Sequence, residues 1–180
     1  MKARPFIRTR AQARAFVLKR GLCGIFSEDN GRMPSLWDAV DLPMRQPGEG
    51  GWGQRVMAIW RWKDELPALY PDQIFYGKNA GGLAVLMSLD HLWKVHYPAN
   101  HRPVRECSPL ARSIHSLVAL EPLTSAALRR ELGVAKGAGK NAFDKALLEL
   151  QATLNIVRRN SLEDKRDTWV LFSEQYSRPA

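Results

Sequence analysis

The chain has 180 residues, 45% hydrophobic and 25% charged, an ordinary globular balance that can bury a core. Fibrous, collagen-like and wholly disordered classes are excluded, and no run approaches the ~20 apolar residues of a membrane span, so a soluble, cytoplasmic protein with no membrane partner is expected. The formal charge of +9 is uneven: residues 1–20 hold seven basic side chains and no acid, while the other 160 hold 20 basic and 18 acidic ones. Two cysteines, Cys23 and Cys107, make no disulfide framework and fit a reducing compartment.

Thr9-Arg10-Ala11-Gln12 reads as a capping box opening a helix that runs to Leu22, with Ala13, Phe16, Val17 and Leu18 on its apolar side. An organellar transit peptide is also basic and acid-poor, but this stretch has no serine. It is taken as an integral first helix whose outer face carries Arg8, Arg10 and Arg14, a nucleic-acid-binding candidate or simply a solvated face. Ser35-Leu36-Trp37-Asp38 has S-x-x-D cap spacing and starts a short helix. After the flexible Gly48–Gly53 run, a longer helix spans Gln54 to Glu65, with Val56, Ile59 and Trp60 inward, until Leu66-Pro67 closes it. Ile74–Tyr76 and Leu83–Met87, separated by a glycine-bearing turn, signal a hairpin. Leu89–Tyr97 reads as a final short helix before a Pro98–Pro103 linker.

From Ser108 the punctuation is plainer. Ser108-Pro109 is an N-cap followed by proline at the first helical position. Leu110, Ile114, Leu117, Val118 and Glu121 space as a helix ended by Pro122. A second helix starts at Thr124 or Ser125, with Leu128 and Leu132 inward, and stops at Gly133. A loop with Gly137 and Gly139 leads to a third, where Phe143, Ala146, Leu147, Leu150 and Leu154 repeat at helical spacing. Ile156–Arg159 and Thr168–Phe172 then form two strands around a polar turn.

Helix, helix, helix, hairpin thus occurs twice. The expected fold is α+β, mainly helical, a tandem winged helix-turn-helix: residues 1–100 form an N-terminal domain with a Trp-rich segment, and residues 108–175 a C-terminal domain. One continuous α+β domain is the alternative. The third helix of the second domain would enter a DNA groove, and the hairpin turn with Lys165 and Arg166 would touch phosphates. Arg129, Arg130, Lys140, Arg158 and Arg159 add backbone contacts. The outward residues of that helix are Asn141, Asp144, Lys145, Leu148 and Glu149, and the two acids repel phosphate. A module that contacts a protein partner is the competing reading.

The segment Pro34-Ser35-Leu36-Trp37-Asp38-Ala39-Val40, then Trp62-Lys63-Asp64-Glu65-Leu66-Pro67, then Tyr76-Gly77-Lys78, resembles motifs of AlkZ-related proteins. These are short relatives of the winged-helix DNA glycosylases that unhook bulky alkyl adducts and interstrand crosslinks. The run from Ser108 through Arg159 is similar to the winged-helix part of that family, and Trp37, Lys63 and Lys78 stand as family-motif residues. The resemblance implies winged helices, DNA as partner and a DNA-repair role. The glycosylases carry Gln–hydrophobic–Gln or Gln–hydrophobic–Asp at the active site. Here Gln12, Gln46, Gln54, Gln73, Gln151 and Gln175 all lack the second Gln or Asp two residues on, so the catalytic pair is not carried over.

If the chain is a diverged glycosylase, Asp64 and Glu65 are its catalytic candidates, because a carboxylate beside an aromatic wall can position water for attack on a sugar. Trp52, Trp60, Trp62 and Tyr76 would stack on an extruded base or fill the core. The bland reading is a helix end with solvated acids. His91, His96, His101 and Cys107 lack matched zinc spacings, so no metal is expected. Val134–Asn141 lacks the first glycine and the Ser/Thr of a phosphate loop; Gly139-Lys140 at a helix start suits one phosphate at most. No cofactor is expected.

Overall fold

The computed structural model describes residues 6–26, 32–164 and 166–178. The protein is α+β, about half helical, with two small antiparallel sheets. It divides into two compact units, one of residues 1–76 and 83–92, the other of residues 77–82 and 93–180.

In the first unit, α1 (Arg10–Arg20) opens on the expected capping box: the Thr9 hydroxyl accepts from the Gln12 N–H, and the Gln12 amide oxygen accepts from the Thr9 N–H at 3.1 Å. Ala13, Phe16 and Val17 are buried, while Leu18 stays exposed. The chain continues through β1 (Leu22–Gly24), α2 (Leu36–Ala39) capped by Ser35, α3 (Gln54–Leu69), β2 (Ile74–Lys78) and β3 (Ala84–Ser88). The strands lie in the order β1-β3-β2, with Cys23 opposite Leu86. Strand β1 has no forecast in the sequence, because three residues cannot display an alternating pattern.

Two expectations for α3 change. Pro67 does not end the helix; it sits inside the last turn and is buried. Its missing N–H forfeits one bond to the Lys63 carbonyl, and burial of Leu66 and Pro67 in the core outweighs that loss. The chain leaves the helix at Tyr70, whose N–H still reaches the Leu66 carbonyl. Trp60 is not inward: the buried face is Ala58, Ile59, Trp62, Lys63 and Leu66, which turns Trp60 out.

Next come α4 (Leu89–His91), a π-helical turn at Leu92–His96 and α5 (Tyr97–Asn100). The expected linker at Pro98 is helical, because the widened turn before it accommodates a residue with no N–H to donate.

In the second unit, α6 (Pro109–Val118) starts at the Ser108 cap and stops short of Glu121. It is followed by β4 (Leu123–Thr124), α7 (Ser125–Glu131), α8 (Ala138–Ala152), β5 (Ile156–Arg158), β6 (Thr168–Leu171) and α9 (Phe172–Gln175). The sheet order is β4-β6-β5, with Leu123 opposite Trp169 and Val157 opposite Val170. Ile114, Leu128, Phe143, Leu150, Ile156 and Trp169 centre the core, and the Trp169 indole N–H donates to Ser125 Oγ at 2.8 Å. Gly139 lies inside α8, not before it, and Leu154 is buried just beyond the helix rather than on its last turn. Helix, strand, helix, helix, strand, strand therefore occurs twice, each time with the last strand central.

Candidate nucleic-acid interface

Burial of Phe143, Ala146, Leu147 and Leu150 decides which side of α8 meets solvent. Asn141, Asp144, Lys145 and Leu148 point outward as their spacing requires. Glu149 does not. Its carboxylate turns to the start of α6, accepting from Ser108 Oγ at 2.6 Å and from the Ser108 N–H at 3.2 and 3.3 Å. A negative charge there complements the positive helix start, so one of the two acids expected on the outer face belongs to the framework. The other, Asp144, binds Lys140 Nζ at 2.5 Å. The hairpin turn Gly77–Gly82 clusters with this unit and closes on the same face, where a Cβ on Gly82 would meet Leu148 Cδ2 at 3.2 Å.

The start of α8 and the end of α7 border a cleft of about 270 Å³ lined by Arg129, Arg130, Val134, Ala135, Lys136 and Lys140. The Arg129 guanidinium lies over the Phe143 ring at 5.6 Å, and Arg130 pairs with Glu131 at 3.5 Å. The sequence reading missed Lys136. Its one signal was a basic residue in the turn between Gly133 and Gly137.

The second hairpin uses its charges internally. Arg158, whose side chain is only 15% exposed, pairs with Asp167 at 3.3 Å. Arg159 forks onto Asp164 at 2.9 and 2.7 Å, and that hydrogen-bonded pair holds the Asp164 carboxyl below its ordinary range and raises the Arg159 guanidinium. Arg166 is exposed, and Lys165 lies outside the described residues.

The first unit likewise folds its arginines back. Arg8 binds Asp41 at 2.9 and 2.5 Å. Arg10 binds Glu65 at 3.0 Å, which raises the guanidinium. Arg14 donates to Gln73 and lies over the Tyr70 ring at 4.5 Å. The aromatic candidates separate: Trp62 is core, Tyr76 half-buried, and Trp52 and Trp60 are 64% and 41% exposed, edge-to-face at 6.3 Å. Phe26 joins Trp60 to Trp37, and Arg55 lies over the Trp37 ring at 5.6 Å.

Lys63 is the buried cation of α3. Its Nζ sits 2.6 Å from Asp64, 4.6 Å from the Trp60 ring centre and 5.5 Å from that of Tyr76. Glu65 faces Arg10 and also Arg61 at 3.8 Å, so the two neighbouring carboxylates serve separate ion pairs. Lys78 ends β2 half-buried.

Of the histidine and cysteine candidates, Cys107 Sγ lies 3.7 Å from Thr153 Oγ1, His101 Nδ1 is 3.1 Å from the Thr153 carbonyl, and His96 Nδ1 meets the Asn100 amide at 3.1 Å. His91 packs beside Gly21. Among the described residues no group of three or more His, Cys, Asp or Glu side chains is placed to hold a metal ion, and no helix is long and apolar enough to cross a membrane.

A family model described as AlkZ related matches residues 7–171. No curated protein and no solved structure matches the chain.

Proposed function

This chain belongs to the AlkZ-related family, and from that premise we propose that it is a tandem winged-helix, cytoplasmic DNA-binding protein of the DNA-repair type. The two winged helices would occupy about residues 1–100 and 108–175. The repeated element order and the repeated strand order support that architecture.

The observation that carries the DNA reading is the position of α8. It is the third helix counted from Ser108, after α6 and α7, where a helix-turn-helix places its reading helix, with Lys140, Asn141 and Lys145 at its exposed start and middle and Arg129 and Arg130 beside it. Arg166 and Lys165 of the hairpin turn would extend the contact. Arg158 and Arg159, and Arg8, Arg10 and Arg14 of the first unit, are already paired, and would contribute less. Fluorescence anisotropy with a labelled duplex at low and physiological salt tests the reading. Binding weakens steeply with salt if phosphate contacts carry it; no binding to duplex even at low salt overturns it.

A diverged glycosylase is the second reading, favoured by Asp64 and the exposed Trp60 both meeting the Lys63 ammonium. It requires base release from an alkylated or crosslinked oligonucleotide, lost in Asp64→Asn or Glu65→Gln. Activity unchanged in both variants removes these carboxylates from the chemistry. The exposed Trp52, Trp60, Met57 and Met44 also leave room for a protein partner.

A further inference from the structure

We propose that the cleft between α7 and α8 is a binding site for one phosphate group, with Lys136 as its unpaired cation. Of its six lining residues four are cationic and none is acidic. At about 270 Å³ the cleft is several times the roughly 30 Å³ that a water occupies, so it admits a hydrated oxyanion. Like charges gathered this closely repel one another, and an anion among them removes that repulsion.

The backbone on both sides suits the same ligand. At the end of α7, the N–H groups of Gly133 and Val134 bond to the carbonyls of Arg130 and Arg129, so the carbonyls that would repel an anion are occupied. Helix α8 opens at Gly137 with no side-chain cap, leaving its first amides without a side-chain acceptor. Two acids, Glu131 and Asp144, each engage one lining cation, Arg130 and Lys140. Arg129 is braced over Phe143, and among the described residues Lys136 has no ion pair. One phosphate would therefore meet Lys136 and Arg129 directly and draw Lys140 from Asp144.

The identity of the phosphate's owner, a DNA backbone, rests on the function proposed above; the site itself does not. The test uses the full chain in two arms, amide NMR shifts on titration with inorganic phosphate and anisotropy with duplex. Wild type, Lys136→Ala and Lys136→Ala/Lys140→Ala are compared, with exposed Lys19→Ala as the charge control. The expected result is phosphate-dependent shifts over residues 133–141 that the double variant abolishes. Lys136→Ala also lowers the salt slope of duplex binding by about 1, more than Lys19→Ala does. Duplex binding by wild type with an unchanged slope in the double variant, and no phosphate shifts that the double variant abolishes, overturns the site and leaves the DNA reading standing. Phosphate shifts lost in the double variant, without duplex binding by wild type, establish the site for free phosphate and remove the DNA reading. Neither phosphate shifts nor duplex binding overturns both.

Discussion

Cys23 is buried opposite Leu86, and that burial pushes its thiol up to about 12. In the unfolded chain the same thiol titrates at about 8.5. The folded state therefore holds its proton where the unfolded state has lost it. The stability this confers is whole below the ordinary thiol range and falls as pH rises towards 12, by up to about 1.4 kcal/mol per pH unit. Urea midpoints measured at pH 8 and pH 10.5 drop for the wild type, and drop less for Cys23→Ala. Single residues elsewhere show the same dependence on surroundings. Glu149 has the sequence position of an outward acid and becomes the anchor of α6, because Ser108 stands 2.6 Å away. Lys63, nominally a surface residue, is buried because Trp60, Tyr76 and Asp64 surround its ammonium.

At the scale of elements, the ends of α7 and α8 form a matched pair. Both close by the same two backbone bonds, from the second residue past the cap to the carbonyl five back and from the first to the carbonyl three back. In α7 the left-handed residue is Gly133 at φ 60°; in α8 it is Leu154 at φ 57°, the sole non-glycine residue with positive φ among those described. A left-handed leucine costs about 1–2 kcal/mol, and burial of its side chain offsets that. Leu154→Ala keeps the strain and loses the burial, so it destabilises by about 2–5 kcal/mol. Leu154→Gly loses the same burial and relieves the strain, so it melts above the alanine variant, a reversal of the order seen inside a helix, where glycine is about 1 kcal/mol worse than alanine. Thermal unfolding of the two variants checks this. The course of α3 through Pro67 follows the same balance, a local backbone penalty carried by core contacts.

For the whole molecule, the charge of +9 proves a poor guide to where an anion would bind. Its most basic stretch holds Arg8, Arg10 and Arg14, which are committed to Asp41, Glu65 and Gln73. The cation without an ion pair, Lys136, stands instead in the α7–α8 turn beside Arg129, Arg130 and Lys140, within the part of the chain whose charges nearly balance as a whole. Element types, caps and most inward faces were legible in the sequence, because each rests on residues within a turn or two: Thr9 with Gln12, Ser35 with Asp38, Ser108 with Pro109, and Phe143 with Leu147. The sequence by itself also displayed the motifs that resemble the AlkZ-related family and the absence of a Gln–hydrophobic–Gln or Gln–hydrophobic–Asp string. Only the tertiary structure decided which charges remain open to a ligand, which tryptophans are core, and that β1 and β4 add a third strand to each hairpin. Those outcomes depend largely on partners distant in the chain, from Arg8 on Asp41, 33 residues apart, to Leu22 opposite Met87, and no local pattern encodes a distance in space.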